Sequence, residues 1–153
     1  MSAKASAFVT PTALEACFEF VCYATPPDEC GLPSEPGQIR RDAEGRATLL
    51  HFAPRRWLVP TPGAALHAWL ADLESQGHGA LIDIDGKWQL LRIAEPSRIL
   101  GSSINVEATL RHRQCAAATV FDCPAILAGD ETTVDLWVAS SYLESFLSAL
   151  VGQ

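Results

Sequence analysis

Three short stretches of this chain recur later in the same order, and that repetition limits what the chain can fold into more than any single motif does. The segment Phe18-Glu-Phe-Val-Cys-Tyr-Ala-Thr-Pro-Pro-Asp-Glu-Cys-Gly31 recurs 70 residues on as Trp88-Gln-Leu-Leu-Arg-Ile-Ala-Glu-Pro-Ser-Arg-Ile-Leu-Gly101, with Ala24/Ala94, Pro26/Pro96 and Gly31/Gly101 in register. Trp57-Leu-Val recurs as Trp137-Val-Ala at an offset of 80. The apolar stripe Leu66, Trp69, Leu70, Leu73 recurs as Leu143, Phe146, Leu147, Leu150 at an offset of 77. The slack between the last two offsets falls in a strand-to-helix loop, where insertions cost little. The expectation is an internally duplicated unit of strand, short helix, strand hairpin and long helix.

Local signals fill in that unit. Residues at i, i+3, i+4 and i+7 give each long helix one apolar face. Thr61-Pro62 reads as the start of the first helix and Gly77 as its stop, while Ser141-x-x-Glu144 reads as a capping box opening the last. Leu81-Ile-Asp-Ile84 and Trp88 to Ile93 flank Asp85-Gly86, a strong short-range hairpin signal. Pro96 sits at a first helical position, with Gly101 as a stop. The residues 34–45, rich in Pro, Gly and charge, read as a surface loop. The residues 99–113 show no clear period. Two single-striped helices need a sheet face to cover them. The predicted class is therefore α+β, a mostly antiparallel sheet with helices packed on it, with 1–15 as an N-terminal leader and 16–153 as a single domain.

Composition excludes several functions. A net charge of −7 argues against general binding to nucleic-acid phosphates, which needs clustered Lys and Arg. No apolar run approaches the roughly 20 residues of a membrane span, and the N-terminal residues lack a signal peptide's apolar core, so the expected location is cytoplasmic. With 48% apolar residues, the chain has more apolar surface than a monomer of this size hides comfortably, which implies a lasting partner. Five cysteines (Cys17, Cys22, Cys30, Cys115, Cys123) match neither a zinc ribbon nor CxxC, and read as reduced packing residues.

Candidate chemistry is sparse. The histidines His51, His67, His78 and His112 are scattered, with no metal-ligand spacing. Asp83 and Asp85 alternate along one strand and share a face at its tip, a candidate carboxylate pair for acid–base work; a solvated, turn-forming face is the competing reading. No Walker lysine loop, GxGxxG, GxSxG or HExxH occurs. Arginine comes in knots: Arg40-Arg41, Arg55-Arg56 and Arg111-His112-Arg113. On an acidic protein Arg55, Arg56, Arg111 and Arg113 are candidate partner-interface residues, because arginine is enriched in protein interfaces.

Taken together, Phe52-Ala-Pro-Arg-Arg-Trp57-Leu-Val with its following helix, Leu81 to Leu100, and Val134-Asp-Leu-Trp137-Val-Ala-Ser-Ser-Tyr-Leu-Glu-Ser-Phe146 resemble the gamma subunit family of heterotetrameric sarcosine oxidase. Gly31-Leu-Pro33 also falls where that family often carries such a tripeptide, and the resemblance spans residues 16–150. Ala53-Pro54 and Glu95-Pro96 stand here for the family's Gly-Pro, and Ser140-Ser141 for its Arg-Ser. The resemblance implies a fold related to the folate-binding half of aminomethyltransferases. It implies a non-catalytic accessory subunit of an amine-oxidising flavoenzyme, without activity alone and with no cofactor or metal of its own. Flavin, NAD and tetrahydrofolate are then expected on large flavoprotein partner subunits. The competing readings are a stand-alone tetrahydrofolate-binding one-carbon protein, with Asp83 or Asp85 in its pocket, and a homo-oligomer that keeps only the scaffold.

Overall fold

The repeated pattern becomes two five-stranded antiparallel sheets in a computed structural model that describes residues 7–12, 16–26 and 28–152. In chain order the elements are β1 (Val9–Thr12), β2 (Cys17–Cys22), a 3-10 turn (Asp28–Cys30), β3 (Ile39–Arg41), β4 (Ala47–Ala53), β5 (Arg56–Pro60), α1 (Ala64–Ser75) and β6 (Gly79–Asp83). There follow β7 (Trp88–Ala94), α2 (Pro96–Leu100), α3 (Val106–Leu110), β8 (Cys115–Val120), β9 (Cys123–Gly129), β10 (Thr133–Ala139), a second 3-10 turn (Ser140–Tyr142) and α4 (Leu143–Val151). The class is α+β. The chain divides into two compact units, a first of Leu14–Asp85 and a second of Met1–Ala13 with Gly86–Gln153.

Each unit builds the same sheet. The first has the strand order β3-β4-β5-β2-β6, the second β8-β9-β10-β7-β1 when read from the matching edge. The strand before the short helical turn pairs with the strand before the long helix in both, as β2 with β5 and β7 with β10. The fifth strand differs in origin. In the first unit it is β6, which follows α1; in the second it is β1, drawn from the segment expected as a leader. Of the rest of the expected leader, Ala7 and Phe8 form a turn before β1, and 1–6 and 13–15 lie outside the described residues.

Packing follows the stripes. In the first unit Leu70 and Leu73 of α1 join Phe20, Cys22, Leu49, Trp57 and Val59 in one core, with Leu66 and Trp69 against it. In the second, Phe146 and Leu150 of α4 join Leu91, Ile93, Leu127, Leu136 and Val138, with Leu143 and Leu147 against them. Full burial of such side chains contributes about 1.5–3 kcal/mol each before ordering entropy is subtracted.

The tryptophans break the sequence alignment. Trp57 lies on the helix-facing side of its sheet, whereas Leu136 and Val138 take that side of β10 and Trp137 points to the other. The strand pairings give the same answer: Phe20 opposes Trp57, and the helix-side pair in the second unit is Leu91 opposite Leu136. Trp57 therefore corresponds to Leu136, an offset of 79, and Phe20 to Leu91, an offset of 71. A slip of one residue turns every side chain to the opposite face. The two tryptophans are not equivalent core positions, although both are buried.

Three other expectations change. Asp85-Gly86 makes a turn, with Gly86 at φ +77, but no hairpin: β6 pairs with β2 and β7 with β10 and β1. The turn lies where the chain passes from the first unit back to the second. Thr61 does not cap α1; it is left-handed at φ 44, its N–H donates to the Ala16 carbonyl, and the helix begins at Ala64 behind Gly63. Gly77 does end α1, at φ +84. Its N–H donates to the Glu74 carbonyl and that of His78 to Leu73, the paired bonds that close a helix C-terminus. The capping box is not formed: Ser140–Tyr142 is a 3-10 turn leading into α4, which has no side-chain cap.

Candidate functional site

The hairpin of β4 and β5 turns at Pro54-Arg55, where Arg55 holds φ 59, and this places Arg55 and Arg56 on opposite sides of the strand. Arg55 is exposed, and its Nη1 donates to the Tyr23 carbonyl at 3.1 Å. Tyr23 itself is 66% exposed, the most open of the large apolar side chains described. Arg56 is partly exposed but held to the sheet: its Nε donates to Glu19 Oε1 and its guanidinium lies 5.0 Å from the centre of the Phe52 ring. Glu19 is only 5% exposed, so Arg56 compensates a buried carboxylate across two strands.

The two adjacent arginines thus do different work. Arg56 is consumed by the fold. Arg55 and Tyr23 together present a guanidinium and an aromatic ring, two side-chain types that dominate interface energetics. Nothing in the sequence marked Tyr23 or Glu19, because their partner lies more than 30 residues away in the chain.

In the second unit Arg111, His112 and Arg113 are all exposed between α3 and β8. Asn105 Oδ1 caps α3 by accepting from Ala108 N at 2.9 Å, and His112 at φ 60 reverses the chain after it. Among the described residues the Arg111 and Arg113 side chains have no partner, and both belong to a different unit from Arg55. The Arg40 guanidinium, singled out only as part of a knot, stacks 5.2 Å from the centre of the Trp69 ring.

Asp83 and Asp85 serve the turn. Asp83 Oδ1 accepts from Asp85 N at 3.0 Å, and Asp85 Oδ1 accepts from Cys17 N at 2.7 Å. Both residues are exposed. Among the described residues no group of three or more His, Cys, Asp and Glu could hold a metal ion. His51 is buried and stacks on Trp57 with ring centres 4.2 Å apart, and burial holds its imidazole below the usual histidine range. None of the five cysteines is in a disulfide. No described helix is long and apolar enough to cross a membrane.

No family model matches the chain, and no curated protein matches it in sequence. Its fold does match a solved one. A chain of the heterotetrameric sarcosine oxidase from Corynebacterium sp. U-96, determined in complex with pyrrole 2-carboxylate, superposes with a TM-score of 0.75 at 18% identity. The match covers 94% of this chain and 81% of that one, and the likeness is one of fold.

Proposed function

We propose that this chain is a small, non-catalytic, gamma-like subunit of a heteromeric sarcosine oxidase or a related amine-oxidising flavoenzyme. The observation that carries this reading is the fold shared, over nearly the whole chain, with a component of such a complex. A supporting one is the division of labour between Arg55 and Arg56. One guanidinium is held by the buried Glu19 carboxylate while its neighbour stands out beside an exposed tyrosine, as a contact to a larger protein requires. In this reading flavin, NAD and tetrahydrofolate reside on the large subunits, and the chain contributes assembly in the cytoplasm. Asp83 and Asp85 then serve as structural carboxylates, each with an oxygen already engaged by a backbone N–H.

The test is co-expression with the large, flavin-bearing subunits of a heteromeric sarcosine oxidase encoded in the same genome. The expected outcome is co-elution at a fixed stoichiometry, with sarcosine-dependent oxygen uptake confined to fractions holding the large subunits. Arg55→Glu combined with Tyr23→Ser is expected to weaken co-elution by about tenfold or more, the loss of a hot-spot contact. Sarcosine oxidation by the chain alone, or no association at all, would overturn the proposal. Calorimetric binding of tetrahydrofolate that Asp83→Ala abolishes would favour the stand-alone folate reading instead.

A further inference from the structure

The two sheets bury different side chains at matching places where the first strand and the short helical turn of each unit meet the core. In the second unit these are Ile93, on the helix side of β7, and Leu100, the last residue of α2; both are fully buried in one core. In the first unit the sheet register puts Cys22 where Ile93 stands, and the sequence repeat matches Cys30 to Leu100, each the last residue of its short helical turn. Cys22 closes β2 on the same face as Phe20, inside the core of Trp57, Leu70 and Leu73, and Cys30 packs against that core from the 3-10 turn. The turn is seated on α1: a methyl group on Gly31 would lie 3.4 Å from Trp69 Cζ2. A duplicated fold that uses two branched aliphatics here has, in its other copy, two thiols.

We propose that Cys22 and Cys30 are a dithiol that closes reversibly to a disulfide, a site of redox modification independent of the subunit role. The two halves are unequal. Burial and the neighbouring Cys30 push the Cys22 thiol up to about 11, against a pull from Arg55, so Cys22 holds its proton. Cys30 is only half-buried and is the first to react. Its thiolate attacks one sulfur of a low-molecular-weight disulfide, breaking that S–S bond and releasing one thiolate. Cys22, on losing its proton, then attacks the Cys30 sulfur and expels the second thiolate. Overall, two protein thiols and one small disulfide give the Cys22–Cys30 disulfide and two small thiols, the two electrons passing to the small disulfide. Only seven residues separate the pair, so the ring is short and the bond straps the turn to the end of β2.

The probe is glutathione disulfide, applied to the full chain, with free thiols then alkylated and the chain cleaved after glutamate without reduction. Cleavage at Glu29 separates the two cysteines and the Glu35–Pro36 bond resists cleavage, so the expected product is the peptide 20–29 linked to 30–44. Cys30→Ser is expected to lower that product by about tenfold or more, and Cys22→Val, which keeps the core filled, to accumulate glutathione on Cys30. Since Cys30 is half-buried, Cys30→Ser keeps the comparison with the wild type interpretable even where the Cys22 variant fails to fold. Glutathione persisting on Cys30 of the wild-type chain, both thiols alkylated at every glutathione ratio, or Cys22 linked to another cysteine would each overturn the proposal.

Discussion

The two sheets share strand order, pairing sense and helix placement, yet their cores solve the same packing problem with different chemistry. In the first unit the helix side holds Trp57, whose Nε1 donates to the Pro33 carbonyl at 3.1 Å, and His51 stacked on it. The second unit has Leu136 and Leu127 at the corresponding positions, paired directly across β10 and β9. Its own Trp137 is on the opposite face, and the Nε1 of that buried indole has no hydrogen-bond partner among the described residues. One topology therefore tolerates, at the same paired positions, either a stacked Trp and His or two leucines. Strand order and apolar patterning are common to both; the identity of the largest residue is not.

The sharpest way to break this comparison is truncation. Trp57→Ala and Trp137→Ala are each expected to cost about 3–5 kcal/mol in denaturant melts, since both indoles are buried. A neutral result at either position would mean that its face is not a packed one. The ion pairs come next. Arg56→Ala strips a buried carboxylate of its cation and is expected to cost about 2–3 kcal/mol, the partly exposed guanidinium tempering the larger figure for fully buried pairs. Arg92 and Asp135 bridge β7 and β10 at 2.9 Å and 3.3 Å on an exposed guanidinium, and Arg92→Ala is expected to cost under about 1 kcal/mol. Equal losses would show that burial of Glu19 is not what separates the two pairs.

Smaller effects sharpen the contrast. Trp57→Phe leaves the Pro33 carbonyl without its donor, while Trp137→Phe removes an N–H that bonds to nothing described. The first is expected to be more destabilising by about 1 kcal/mol. The smallest effect is a slope against pH. His51 takes a proton near 6.5 when unfolded and only at lower pH when folded. Below 6.5 the unfolded state binds more protons, so stability falls as pH drops through that value and on to the folded one. His51→Phe is expected to flatten this part of the profile; a Leu127 variant is not.

Much of this architecture was legible because apolar spacing is a local signal that long helices and buried strands cannot avoid. The stripes on α1 and α4 and nearly every strand follow from it. What was not legible depends on partners distant in the chain. Asp85-Gly86 has the chemistry of a hairpin turn, but the strands flanking it find better partners in β2 and β10, and pairing is decided by those. Ile39–Arg41 was hidden because an edge strand whose arginines are exposed has no apolar alternation. The α3 helix was hidden because its five residues bury only Val106, leaving Asn105 as its one clear signal. Matching Trp57 to Trp137 put residue likeness ahead of face, and in a strand one residue is the whole difference. Arg55 and Arg56 were legible as a pair but not as opposites, since that depends on Glu19 and Tyr23. The Asp83 and Asp85 carboxylates were legible as a turn.

Because Val9–Thr12 lies directly against Leu90–Ile93, the polypeptide leaves the second sheet after β1 and returns to it beside the same strand ends. In genealogical terms the first unit is an insert carried between two neighbouring strands of its sibling. Excising it and closing the gap with a tight turn would leave the second sheet with all five strands and its own helix. The ancestral half of this protein can thus be sought in a contiguous chain about half as long.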